Sequence, residues 1–324
     1  MNENASELKA SSKCSEKLKS KLKSILKDRL ERTAGADNIA FQEKRPNSNE
    51  YHPYVLCVND NLIKNLELTC YLNGYYSMSD INDMRALRSS SALTYNTFSM
   101  IDRKRPLIIF DTVYEAFHPE ERNRPLKNRR PSQIDGLFKS EESTLMLEMK
   151  MFEHYDHRCS DDIYENKKSV LKSSFKSYLE EENYESHYAK EFIDLFKKIM
   201  HEIKQKTFEK YDIVQMAKHL LSIINNRDEE HFKNKSVLLL SVSWLASRTS
   251  LIDELESEAD KRHLKACDDN IEQEAKHAVK MLNDFLDDLG VDDISVAFMD
   301  YAEFVSRSNL AEHPHYDYLK ARYL

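Results

Sequence analysis

Asp135, Glu148 and Lys150 stand close together in an otherwise apolar part of this 324-residue chain, within the stretch QIDGLFKSEESTLMLEMK. Two carboxylates suit a hard divalent cation, and an ammonium group beside them suits a metal-bound water and a phosphorus centre gathering negative charge. In an extended STLMLEMKM segment, Leu145, Leu147, Met149 and Met151 share one face, while Met146, Glu148 and Lys150 share the other. A hairpin turning at Glu141-Glu142 would set Asp135 opposite Glu148. Like charges facing each other across a ladder destabilise it unless they are neutralised, which Mg²⁺ does with one or two carboxylates, water and phosphate oxygens. The set is suited to phosphodiester hydrolysis, with Mn²⁺ as a substitute ion.

The triplet alone carries no weight, because an acid two residues before a lysine occurs six times in the chain. Only Glu148/Lys150 lies in strict strand alternation with an Asp one hairpin upstream. The plain alternative is an exposed strand face bearing a structural Lys/Glu pair. Just upstream, RNRPLKNRR (Arg122 to Arg130) holds five basic residues and no acid. Arg124, Lys127, Arg129 and Arg130 are the candidate phosphate contacts, against the plain reading of a solvated loop.

The elements that must position these residues follow from periodicity. The pattern predicts a helix from Asp80 or Asp83 to about residue 100, a strand over RPLIIFDTVYEAF, the basic loop, and then the hairpin. Further helices are predicted within 160–184, from Tyr188 to Lys206, from Asp212 to Asn226, and from Asn270 to Leu289 with Gly290 as its stop. KSVLLLSVSWLA reads as a buried central strand and DISVAFMDYAEF as the last strand. Residues 1–35 read as a basic, loosely docked helical arm, followed by one domain over 36–324, and Thr33 to His52 has loop composition. The expected class is α/β: a mixed sheet flanked by helices, with a helix-rich C-terminal half.

Asp135, twelve intervening residues and then Glu148-Met149-Lys150 resemble the PD-(D/E)xK nuclease superfamily. That family's restriction-endonuclease-like core runs helix, three strands, helix, strand, with the reactive residues on a strand hairpin. A narrower likeness is to bacterial putative restriction endonucleases with an SSQAL..N.F helix and an E.KYTE strand, matched here by SSSALTYNTF (Ser89 to Phe98) and EMKMFE (Glu148 to Glu153). The resemblance covers roughly residues 80–165. It implies a Mg²⁺-dependent endodeoxyribonuclease in a defence or restriction setting, with Asp135, Glu148 and the Met149 carbonyl as metal ligands. Lys150 would position the water, and Glu153 is the candidate additional acid. DNA would be the partner, and the helices after 160 would supply target recognition or a homodimer surface. The alternatives are a nuclease-like fold serving as a binding or assembly module with weak catalysis, and action on RNA.

The remaining features exclude more than they propose. A net charge of −8 argues against coating nucleic acid with the whole surface. Five scattered cysteines without CxxC pairing point to reduced thiols, and no apolar run reaches the length of a membrane span, so a cytoplasmic protein is expected. Glycine-rich phosphate loops, GxSxG and HExxH are missing from the sequence. EHYDHRC (Glu153 to Cys159) lists metal-ligand types but reads as a polar loop after the strand, and EHPHYDY near the C-terminus reads as a loop too.

Overall fold

A computed structural model describes residues 14–34, 39–44, 51–63, 78–127, 132–156, 159–165 and 170–324. Five strands form one mixed sheet: β1 (Phe117–Asn123), β2 (Ser132–Lys139), β3 (Ser143–Lys150), β4 (Ser236–Ser243) and β5 (Ile294–Asp300), in the order β5-β4-β3-β2-β1. The first three make an antiparallel meander, whereas β4 lies parallel to β3 and β5 parallel to β4. Parallel neighbours need long crossovers. Two helices, α3 (Ala189–Lys204) and α4 (Ile213–Asn225), lie in the connection from β3 to β4, and the 32-residue α5 (Glu258–Leu289) makes the connection from β4 to β5.

The mixed α/β class therefore holds, and so does the hairpin. Its ladder pairs Gly136 with Leu147, Leu137 with Met146, Phe138 with Leu145 and Lys139 with Thr144, which is the register set by a turn at Glu141-Glu142. That turn is closed by Ser140 N donating to Ser143 O at 2.8 Å. The central helices begin and end where their caps dictate. The Asp212 side chain accepts from Gln215 N at the start of α4, and Gly290, at φ 68°, stops α5 in the left-handed region that favours glycine.

Several expectations are corrected. The strand over 107–116 is instead a separate hairpin, 107–109 with 112–114, because Phe110 and Asp111 both take positive φ and turn the chain. The sheet's first strand, β1, lies in the part expected to be loop, overlapping the start of the basic run at Arg122. The helix from Asp80 to 100 is broken in two: Met78–Asp83, then α2 (Ser90–Phe98), restarted by Ser89 accepting from Ala92 N. Within 160–184 the described residues form short helices, Ser160–Ile163 and Ser173–Lys176, and a two-residue ladder, and α5 begins twelve residues earlier than periodicity indicates. Loop composition over 33–52 conceals strand 41–44, paired with 51–55.

The N-terminal arm is the largest packing correction. Helix α1 (Glu16–Ala34) buries Leu18, Leu22, Leu26 and Leu30 completely, at the i, i+4 spacing of one helix face. Its basic residues are tied down as well: Arg29 Nε donates to Glu254 at 2.6 Å and Lys19 Nζ to Asp156 at 2.6 Å. Lysine-rich composition suggests a solvated arm because it counts charges, whereas four leucines on one face decide the docking.

Two apolar cores sandwich the sheet. One joins α1, α2, Trp244 and the C-terminal helix α7 (Tyr316–Tyr323), which follows α6 (Tyr301–Arg307), to Leu145, Leu147, Met149 and Met151. The other joins α3, α4 and the second half of α5 to Met146, Leu239 and Val296. Burying each large aliphatic or aromatic side chain contributes about 1.5–3 kcal/mol, so both faces of β3 sit in well-stabilised surroundings. No helix among the described residues is long and apolar enough to cross a membrane.

Candidate active site

The charged residues gather at the C-terminal end of β3, between β2 and β4 and beneath α4. Strand parity puts Glu148 and Lys150 on the same face as Met146, and that face is covered. Glu148 is only 3% exposed. The plain alternative of an exposed strand-face pair is therefore ruled out for Glu148, and its burial calls for compensation.

The compensation is specific. Lys150 Nζ lies 2.8 Å from Glu148 Oε1 and donates to Gln215 Oε1 at 2.7 Å. Glu148 Oε2 lies 3.2 Å from His219 Nε2, and His219 Nδ1 is hydrogen-bonded to Ser132 Oγ at 3.0 Å. Gln215 and His219 are four residues apart on α4, so one helix face delivers both. Burial alone would raise the Glu148 carboxyl, but Lys150 and His219 outweigh it and hold it well below the usual carboxylate range. Burial likewise opposes charge on Lys150, yet Glu148, Asp212, Glu153 and Asp135 together push its ammonium further up, so it is a fixed cation rather than a base.

Asp135 enters from β2. Its Oδ2 accepts from Met149 N at 2.6 Å, so a side chain takes a β3 amide just beyond the last ladder pair, Gly136 with Leu147. Its carboxylate is thus turned toward β3 and acts electrostatically on Lys150. Glu153 caps the strand end by accepting from Met151 N and Phe152 N, each at 2.9 Å, and takes a further hydrogen bond from the Ser90 side chain. That last contact joins the serine-rich helix to the EMKMFE segment, the two pieces that carry the narrower likeness.

A cavity of about 200 Å³ opens over this group, lined by Glu148, Lys150, Glu153, His154, Asp162, Lys210, Tyr211, Asp212, Met216, Ser241 and Ser243. The two serines explain the space. In the parallel register Ser241 stands beside Glu148 and Ser243 beside Lys150, where larger β4 residues would fill the gap. The loop bearing Lys210, Tyr211 and Asp212 is held by Glu274 of α5, whose Oε2 accepts from Glu209 N at 3.1 Å and from Lys210 N and Tyr211 N at 2.8 Å each. The turn after β3 is fixed as firmly: Asp156 accepts from Lys19 at 2.6 Å and Arg88 at 2.5 Å, and Tyr155 Oη donates to Asp268 at 2.7 Å.

Of the residues expected from sequence, Asp135, Glu148, Lys150 and Glu153 come together. Met149 donates its backbone N–H to Asp135, and its side chain is buried in the apolar core. Arg124 and Lys127 are exposed, and their backbone is pinned near the end of α4: Asn226 donates to Arg124 O at 3.1 Å, and Lys127 N donates to Asn183 O at 3.0 Å. Arg129 and Arg130 lie outside the described residues. The polar loop expected over Glu153 to Cys159 is corrected, because His154, Tyr155 and Cys159 are buried. In the C-terminal EHPHYDY stretch His313 and His315 are buried as well, and α7 starts at Tyr316. Sequence reasoning missed Gln215, His219 and the serines of β4. The signals were present as a QxxxH pair at the start of a helix and two hydroxyls in an apolar run.

The donor set fits a divalent ion in part. Glu148 is a buried carboxylate, and carboxylates outnumber ammonium groups around the cavity. Among the described residues, however, no three His, Cys, Asp or Glu side chains are arranged to hold an ion unaided. No protein-family model matches the chain, and no curated protein or solved structure matches it at a significant level.

Proposed function

We propose that this chain is a metal-dependent nuclease of the PD-(D/E)xK kind, an endodeoxyribonuclease acting in a bacterial defence or restriction setting. The observation that carries the reading is the buried Glu148 carboxylate 2.8 Å from the Lys150 ammonium, on a hairpin that also brings in Asp135, at the floor of a cavity. A helix, a three-strand antiparallel meander, helices and a parallel fourth strand succeed one another in the order the resemblance implies.

Asp135, Glu148 and the Met149 carbonyl would hold Mg²⁺ or Mn²⁺. The bound ion would polarise a phosphoryl oxygen and lower the pKa of a coordinated water. Lys150, kept cationic by four carboxylates, donates toward the attacking water and offsets charge on the phosphoryl oxygens. Gln215 fixes the Lys150 ammonium by accepting from it, and Ser132 fixes the ring of His219 against Glu148. Arg124 and Lys127 contact the backbone of DNA further from the cut, where loss of either weakens binding without touching the chemistry.

The test is cleavage of supercoiled plasmid with Mg²⁺ or Mn²⁺ by the wild type, Asp135→Ala and Lys150→Ala. Cleavage by the wild type alone is expected. Equal activity in all three, or none in any on DNA, would overturn the catalytic reading. In the latter case cleavage of RNA, or DNA binding without cleavage, would identify the alternative role.

A further inference from the structure

His154 is a cavity-lining group whose chemistry the proposed mechanism leaves unused. It is 4% exposed, it lines the same cavity as Glu148 and Lys150, and neither of its ring nitrogens has a hydrogen-bond partner among the described residues. A buried imidazole normally satisfies at least one nitrogen, so two orphans facing a polar cavity mark a ring positioned for something absent from the protein itself. Its surroundings fix it sterically rather than by hydrogen bonds: the ring lies 4.2 Å from that of Tyr155, which is anchored to Asp268 and Ala246 N. An imidazole nitrogen that accepts no proton from the protein can offer its lone pair to an ion.

We propose that His154 is a nitrogen ligand of the divalent ion in this cavity, giving the site a preference for first-row transition ions such as Mn²⁺ over Mg²⁺. The inference rests on the metal-dependent reading above and adds a donor that its carboxylate set lacks. Oxygen-only sites suit Mg²⁺, whereas each imidazole added favours ions that accept nitrogen. His154 lines the same cavity as Glu148 and would add one nitrogen to the oxygen donors named above, the remaining positions belonging to water and substrate oxygens.

The experiment uses the full chain stripped of metal, titrated separately with Mn²⁺ and Mg²⁺ and studied by pulsed electron paramagnetic resonance of bound Mn²⁺. Wild-type protein should show nitrogen-14 modulation from a directly bound imidazole. His154→Gln should lose it and bind Mn²⁺ about tenfold more weakly, with Mg²⁺ affinity changing less, and His219→Gln should keep the modulation. Mn²⁺ bound without nitrogen modulation in the wild type would overturn the role of His154 and leave the metal-dependent reading standing. Modulation that persists in His154→Gln and vanishes in His219→Gln would overturn it too, by assigning the nitrogen to the other ring. Failure of wild type to bind Mn²⁺ or Mg²⁺ better than Glu148→Gln would bring down both.

Discussion

The two faces of β3 are alternate residues of one short strand, and they are buried by different means. On one face Leu145, Leu147, Met149 and Met151 meet α1, α2 and Trp244 in an apolar core. On the other, Met146 joins the second core, but Glu148 and Lys150 sit beneath α4 with Gln215 and His219 as partners. The first face gains stability from dispersion and water release, which tolerate changes that keep volume. The second must balance desolvation of two charges against their attraction, a balance that seldom yields net stability over an apolar pair. Strand packing alone therefore does not account for Glu148 and Lys150, whereas the nuclease role we propose would.

The sharpest way to break the contrast is Lys150→Met. It leaves Glu148 buried without its cation, and we expect a loss of about 3–5 kcal/mol in urea unfolding together with a roughly 10²–10³-fold loss of cleavage. On the apolar face, Leu147→Ala should cost about 2–5 kcal/mol from the cavity it leaves, with cleavage per folded molecule nearly unchanged below the melting point. Loss of activity there beyond the loss of folded protein would blur the distinction between the faces.

The charged face should also answer to acid. The Glu148 carboxyl is held below its ordinary value of 4.5 by Lys150 and His219 acting against burial, so its contribution is complete above that pH and is lost as pH falls through the lower folded value. His154 acts in a higher window. Burial brings its imidazole down from 6.5 to about 4, so the metal-free protein should lose stability as pH falls from 6.5 toward 4. Unfolding measured at pH 7 and pH 5 should show that loss in the wild type, and His154→Gln should reduce it.

Smaller effects sharpen the picture. Gln215→Ala frees the Lys150 ammonium from one acceptor and should lower cleavage about tenfold, with stability falling by only about 1 kcal/mol. Lys127→Ala should leave the rate at saturating DNA unchanged and reduce the salt slope of binding by about one, measured by anisotropy over a range of salt.

The sequence made the site's strand residues legible because strand parity is rigid: one turn assignment at Glu141-Glu142 set the hairpin register. It made α3 and α4 legible because Phe192, Ile199, Val214 and Leu221 recur at helical spacing and Asp212 caps the second. What it hid depends on contacts across distance. Gln215 and His219 look like ordinary helix residues until α4 is laid over β2 and β3. His154 looks solvated until α1 and Arg88 clamp Asp156 two residues on. The break of the first helix and the positive φ at Phe110 and Asp111 are local decisions without a glycine to announce them.

The central claim is that the Glu148–Lys150 pair exists for chemistry and not for the fold. The most direct measurement is plasmid cleavage by the paired variant Glu148→Gln with Lys150→Met, after urea unfolding has compared it with Lys150→Met alone. We expect the second substitution to restore most of the lost stability, because the uncompensated charge is gone, while cleavage stays undetectable in Mg²⁺ and Mn²⁺. A stable paired variant that still cleaves DNA at the wild-type rate would contradict the account.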